Sequence, residues 1–446
     1  MKVGIDSISF DLPKIHLPIK TLALNRNIEP DKLINGLGLH KMSFPDVHQD
    51  VVTFASNAVL KLIKQEQLQP DEIARIYVGS ESGVDSSKPI GSYIIQLLEQ
   101  KLGTGSFKNC DLTDITFACI GAVDALQTTL DFIRLNPDKK AIVVATDNAK
   151  YDLKSSGEYT QGAGAIALLI TSNPRIIAFE KETGVSSQGV FDFFKPRRSI
   201  SKNEILNTTD NPEWFGILEN EISFYKEQPV FDGQYSNQCY INRITDAYFH
   251  YKKVSNQKSA IYQNWENILM HLPYCFQARR TFVEIYAKEN PFIKLDPTDV
   301  NQIKSISKSD AYLEFVTKTI FPSEIASGQV GNMYTGSIFL GLLSTLSFHY
   351  QNDYDITNKK FGFIAYGSGS KAKVFEGIVQ ENWKKASNFQ IFETLSKSIE
   401  IDFDTYISLH KKELKKSVLE PKNEFYLHNI ETEKVNLIGA RYYYYK

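Results

Sequence analysis

Three side chains stand where the chain changes direction and carry reactive groups. Cys119 lies in Asp-Ile-Thr-Phe-Ala-Cys-Ile-Gly-Ala-Val-Asp-Ala-Leu, residues 114–126. Ile115, Thr116 and Phe117 have the β-branched and aromatic character of a short strand. From Ile120 apolar residues recur at helical spacing, through Ala122, Val123, Leu126, Leu130 and Ile133. Cys119 is therefore placed at the head of a helix, where unpaired N–H groups carry partial positive charge. That setting predicts a thiolate and covalent nucleophilic catalysis. A buried thiol acting as a small hydrophobe is the plainer alternative. Glu81, in Val-Gly-Ser-Glu-Ser-Gly, follows a buried strand, where open α/β sheets place ligands. Partial burial would raise its pKa towards the range of acid–base work; otherwise it is a solvated loop carboxylate. His271 ends an apolar strand before Leu-Pro and is placed to donate to a developing oxyanion, or to bond the backbone.

Asn332, before an apolar helix, suits both a helix cap and a ligand contact. Arg279 and Arg280 follow His271 closely, and Lys195, Arg197 and Arg198 cluster further back. Either group could hold phosphates, or be a solvated charged face.

Strands alternating with helices must position these groups. Residues 1–10 read as a strand. Residues 48–65 form a helix starting at Asp50, with Val51, Phe54, Ala55, Ala58, Val59 and Leu62 on one face. Ile76–Val78, Ala141–Ala145 and Gly162–Leu169 read as buried strands, and Ile94–Leu102 as a helix. Residues 195–235 are polar and irregular, like an insertion. A helix at 236–253, a strand at 266–270 and a helix from 274 follow, then a loop near 296–310. Strand Phe361–Ala365 ends in Tyr-Gly-Ser-Gly-Ser, and the Tyr-rich tail 424–446 is strand-like. The pattern predicts an α/β protein with both sheet faces covered. Its halves, 1–172 with Glu81 and Cys119 and 173–446 with His271 and Asn332, are alike in plan without a residue-level repeat.

Composition narrows the function. Over 446 residues, 50 basic and 52 acidic side chains leave a net charge of −2, with no charged block to bind nucleic acid. Four scattered cysteines, none in a Cys-x-x-Cys pair, argue against disulfides and zinc and for a reducing compartment. The first residues lack a signal-peptide core. The longest apolar run, Ser337–Phe348, is too short to span a bilayer and reads as a buried helix. The expected location is the cytoplasm.

Taken in order, Val-Gly-Ser-Glu-Ser at 78–82, Phe-Ala-Cys at 117–119, Val-Val-Ala-Thr-Asp at 143–147, Gln-Gly-Ala-Gly-Ala at 161–165 and Asp-Phe-Phe-Lys-Pro at 192–196 resemble the 3-hydroxy-3-methylglutaryl-CoA (HMG-CoA) synthases, condensing enzymes of the thiolase superfamily. Asp-Gly-Gln-Tyr-Ser-Asn-Gln-Cys-Tyr at 232–240, His-Leu-Pro-Tyr at 271–274, Gly-Asn-Met-Tyr-Thr-Gly-Ser at 331–337 and Tyr-Gly-Ser-Gly-Ser at 366–370 extend the resemblance over nearly the whole chain. It implies a five-layered αβαβα fold, a homodimer, and no metal or redox cofactor. It implies Cys119 as the acetylated nucleophile, Glu81 as general acid/base and His271 as the group positioning acetoacetyl-CoA. Asn332 would bind the second thioester, Asp147 and Asp192 would support the site, and Tyr334 and Ser368 join the substrate-binding set. Two positions depart from the family: Ile120 stands for its usual Tyr, and Phe276 for a Lys near the CoA. The second leaves open an acyl-carrier-protein substrate, as in polyketide β-branching. A non-catalytic acyl-thioester-binding protein of the same fold is the alternative from another class.

Overall fold

The strand Lys140–Ala149 alternates between two cores. Ala141, Val143 and Ala145 face one, and Ile142 and Val144 the other. Lys360–Gly367 does the same: Phe361, Phe363 and Ala365 share the first core, while Ile364 and Tyr366 enter a third. Side chains alternate across a strand, so each sheet is covered on both faces. The core common to both strands is built on the helices Gly121–Leu135 and Ser337–Gln351. Helices Val51–Glu66 and Ile90–Leu102 cover the outer face of the first half, and Gly233–Val254 and Gln277–Glu289 that of the second. The result is helix, sheet, paired helices, sheet, helix. The molecule, a computed structural model, is described for residues 1–201, 221–296, 299–386 and 389–446.

Strands run in the order Trp265–Met270, Lys360–Gly367, Lys371–Val379, Ile177–Phe179, Val3–Asp11, Gly162–Ser172, Lys140–Ala149, Ile73–Gly79 and Asp111–Ile115, with Gly184–Ser187 added beside Lys371–Val379. The halves join through Gly4↔Ala178 and Ile5↔Ile177. The Val51–Glu66 helix starts as its sequence predicts, with Asp50 accepting from the Val52 and Thr53 N–H groups. Ser337–Gln351 is buried on nearly every side. Among the described residues no helix is long and apolar enough to cross a membrane.

Three expectations change. The strand read at Ile115–Phe117 ends at Ile115, because Thr116 leaves the sheet and its hydroxyl donates to the Ser80 carbonyl. The loop read at 296–310 contains a helix, Val300–Ile306, capped by Asp299. In the polar stretch 195–235, Arg197–Ser201 pairs with Glu221–Tyr225, flanked by a short pairing of Phe193–Phe194 with Val230–Phe231. Residues 202–220 of that stretch lie outside the described residues. The tail forms a hairpin, Phe425–Ile430 with Arg441–Tyr445, and buries Phe425 and Tyr443 against the outer helices of the first half.

Candidate active site

The chain leaves Asp111–Ile115, turns through Ala118 in the left-handed region (φ 40°), and enters the Gly121–Leu135 helix. Ile120 N–H donates to the Phe117 carbonyl at 3.1 Å, closing the turn around Cys119. Gly367, at the end of a strand from the other half, presses on this turn. A Cβ there would lie 2.7 Å from Ile120 Cγ2 and 2.8 Å from the Phe117 oxygen. The thiol faces a cavity of about 280 Å³ lined by residues of both halves, including Tyr151, His271, Asn332, Tyr334, Tyr366 and Ser368. Tyr151 meets Phe231 and Tyr334 edge-on, making the wall beside the thiol aromatic.

The resting group is the thiol, contrary to the thiolate expected from the helix end. Burial, with Glu81 and Asp147 nearby, pushes the Cys119 pKa well up, and the Lys195 charge offsets only part of this. A helix terminus contributes about 0.3–1 kcal/mol, under one pKa unit at about 1.4 kcal/mol each. Burial can shift a group by up to about 3–5 units.

Glu81 is carried just past Ile73–Gly79 on a loop held by one buried carboxylate. Asp147 Oδ1 accepts from Glu81 N–H at 2.9 Å, Ser82 Oγ at 2.8 Å and Ser80 Oγ at 3.1 Å. Its Oδ2 accepts from Thr335 N–H at 3.0 Å and Thr335 Oγ1 at 2.5 Å. Asp147 thus fixes the Glu81 loop to the Asn332 segment, and its oxygens are turned to protein. Lys195 reaches the Glu81 carboxylate at 3.4 Å, a place the sequence did not indicate when it grouped Lys195 with Arg197 and Arg198. Burial raises the Glu81 pKa, Lys195 pulls it back, Asp147 adds to the rise, and the result is about 7.

His271 follows Trp265–Met270 and is buried. Its Nδ1 lies 2.5 Å from Ser337 Oγ, which also accepts from Leu272 N–H at 3.1 Å. Burial lowers the imidazole pKa to about 3, so the ring is neutral near pH 7. Ser337 Oγ can donate to Nδ1 or accept from it, and the tautomer in which it donates puts the ring proton on Nε2. Sequence reading missed Ser337 because it opens an apolar run.

Asn332 is positioned by Gly331 (φ 94°), where a Cβ would meet the Gln161 oxygen at 1.9 Å. Asn332 Oδ1 accepts from Tyr334 N–H at 2.8 Å, so the amide caps the following turn while its residue lines the cavity. Asp192 accepts from the Tyr366 hydroxyl and from Gly369 N–H, so it holds the strand end that presents Ser368. The Tyr334 hydroxyl is buried in the cavity beside the Tyr151 side chain.

The two arginines part company. Arg279 forms a bidentate pair with buried Glu324 and lies 3.8 Å over the Phe276 ring. Arg280 is exposed, bonds the Gly36 carbonyl, and lies over Tyr274 on the cavity rim. Arg279→Ala is therefore expected to destabilise the fold, by about 3 kcal/mol on the scale for breaking buried pairs. Arg280→Ala should leave the melting temperature unchanged. Thermal melts of both variants check this; an Arg279→Ala protein that melts normally would refute it.

Sheets of both halves packed on shared central helices, with a cysteine heading one of them, define a thiolase-like fold. The sequence comparisons narrow the class. Residues 1–175 match the family model "Hydroxymethylglutaryl-coenzyme A synthase N terminal" and residues 218–445 its C-terminal counterpart. The hydroxymethylglutaryl-CoA synthase of Haloferax volcanii is 30% identical over 95% of this chain and 94% of its own. That of Enterococcus faecalis is 32% identical over 84% and 83%. Among solved structures, an HMG-CoA synthase complexed with CoA aligns over 100% of both chains with TM-score 0.77 and 26% identity. The curacin-pathway HMG synthase, in complex with an acetyl donor carrier protein, shares the fold at TM-score 0.78 and 20% identity over 100% of both chains. The chain belongs to the hydroxymethylglutaryl-CoA synthase family.

Proposed function

We propose that this chain condenses acetyl-CoA with acetoacetyl-CoA to HMG-CoA through an acetyl-Cys119 intermediate. The observation that carries the proposal is Glu81: a buried carboxylate, its pKa raised by burial to about 7, whose charge is felt by a cysteine that shares a cavity with a neutral histidine. Such a group can take a proton and return it at neutral pH.

Cys119 attacks the acetyl carbonyl, its proton leaves with the departing CoA sulfur, and a thioester forms on Cys119. Ionised Glu81 removes a methyl proton from the acetyl group. The carbanion attacks the β-ketone carbon of acetoacetyl-CoA, whose oxygen takes the His271 Nε2–H as a donor. Protonated Glu81 returns its proton to the new alkoxide. Water then cleaves the Cys119 thioester, releasing HMG-CoA and the thiol. The steps as written draw on side chains, thioester substrates and one water. Asn332, Tyr334 and Ser368 line the path of the second thioester, and Asp147 and Asp192 position Glu81 and Ser368. Residues 1–172 supply base and nucleophile, and 173–446 the histidine and amide. A homodimer in the cytoplasm is the working state of this proposal.

Phe276, packed under Arg279 where the family resemblance implies a lysine, favours a second reading, in which the β-ketoacyl partner is carrier-bound. The deciding experiment loads the enzyme with radiolabelled acetyl-CoA, identifies the labelled peptide after denaturation, and offers free acetoacetyl-CoA or acetoacetyl carrier protein. The proposal expects label on Cys119 and turnover with free acetoacetyl-CoA. Turnover with the carrier protein alone would select the second reading, and no covalent label would refute both.

A further inference from the structure

We propose that Lys195 is a positioning residue that keeps the neighbouring Glu81 carboxylate ionised before each condensation, which makes an ammonium group from the second half part of the acid–base machinery of the first. The inference rests on Glu81 being the base. Lys195 lies between Phe193–Phe194 and Arg197–Ser201, and each of these strands is anchored by its own pairing. Its side chain is 10% exposed and Nζ lies 3.4 Å from Glu81 Oε1 and 4.4 Å above the Tyr334 ring. Burying an ammonium this deeply is costly unless it is paired, and the aromatic faces of Tyr334 and Phe193 add to the charge it is offered.

The electrostatic need is visible on the carboxylate side. Among the described residues, Lys195 and Asp147 act on the Glu81 charge, and Cys119, Tyr151, Tyr225 and Tyr334 lie where they feel it. All but Lys195 are neutral or acidic. Asp147 takes its hydrogen bonds from serine, threonine and backbone donors, and the Lys195 charge acts on it as well as on Glu81. Burial and Asp147 both favour protonated Glu81, which cannot take the methyl proton. Lys195 is what opposes them. An opposite charge at this range lowers a carboxyl pKa by about 1–3 units. Removing it therefore moves the Glu81 titration upward.

The test compares Lys195→Met, Lys195→Gln and Lys195→Arg with wild type and Glu81→Gln. Acetylation of Cys119 is measured by mass spectrometry and condensation as kcat/KM against pH. Lys195→Met should reach wild-type acetyl stoichiometry, which shows an intact site. Its acid limb should move up by about 1–3 pH units, so from a wild-type value of about 7 condensation at pH 7 falls about five- to five-hundredfold and recovers as pH rises. Lys195→Arg should restore the limb. If Lys195→Met does not acetylate, Lys195→Gln is judged by the same limb. An unmoved acid limb in the neutral variants, with Glu81→Gln inactive, overturns the proposal and leaves the base intact. Glu81→Gln condensing at wild-type rate would instead remove the base on which it rests.

Discussion

Glu81→Gln will yield an enzyme that acetylates Cys119 and then stalls. The amide keeps the size of the side chain, and the loop is fixed through Glu81 N–H to Asp147, a contact the substitution spares. Acetyl transfer moves a proton from Cys119 to CoA and does not call on Glu81. Carbon–carbon bond formation does, because the methyl proton is weakly acidic and has to be taken in place. General-base catalysis contributes about 10²–10⁴-fold, so condensation should fall by at least that order. The wild-type acid limb should vanish too. Glu81 is raised to about 7, so its basic form is lost as pH falls through that value. Condensation by the wild type should decline below it, while residual turnover of the mutant should be flat there. Acetyl-enzyme by mass spectrometry and condensation by product release, measured across pH, check both halves. A mutant that keeps the limb would mean that another group is the base.

Cys119→Ser will lose acetylation and condensation together. The loss should be on the order of 10⁴–10⁶-fold, the scale on which removal of a nucleophile acts. Serine fits the turn, since Ala118 and Gly121 carry its backbone demands and the thiol is only 8% exposed. The hydroxyl is a poorer nucleophile in a site whose burial and carboxylates already disfavour an anion. The melting temperature should stay close to that of the wild type. An acetyl group on the residue 119 peptide of this variant, formed at the normal rate, would contradict the assignment.

Much of this was legible in the sequence. Local pattern located Cys119 at the head of its helix and the strand ahead of Glu81, because both depend on residues a few positions apart. The ordered motifs pointed to the family before any contact was known. What stayed hidden depends on distant residues. Lys195 read as one cation among three on a polar stretch, yet its charge is spent on a carboxylate 114 residues away in the chain. Ser337 looked like the first residue of an apolar helix, and only the fold brings it to His271. Asp147 and Asp192 read as acidic residues that support the site, and only the fold shows which segments their oxygens hold, at Glu81 and Thr335 for one and at Gly369 for the other. The two adjacent arginines differ because a helix turns successive side chains by about 100°, one towards Glu324 and the other to solvent. The thiolate expectation failed for a reason of magnitude, since a helix end is a small effect beside burial.

The central helices have a consequence for how the molecule comes into being. Gly121–Leu135 and Ser337–Gln351 belong to one core. Synthesis proceeds from the amino end at about 5–20 residues per second, so the first helix waits on the order of ten seconds or more for the second. During that interval strands of the first half cover part of its apolar side, and the part that meets the second half has no native cover. The same delay separates Cys119 and Glu81 from His271 and Asn332. A ribosome that stops early releases a nucleophile and a base without the groups that present a second thioester. On the roles proposed above, condensation therefore waits on the second half, because Cys119 and Glu81 are made before His271 and Asn332.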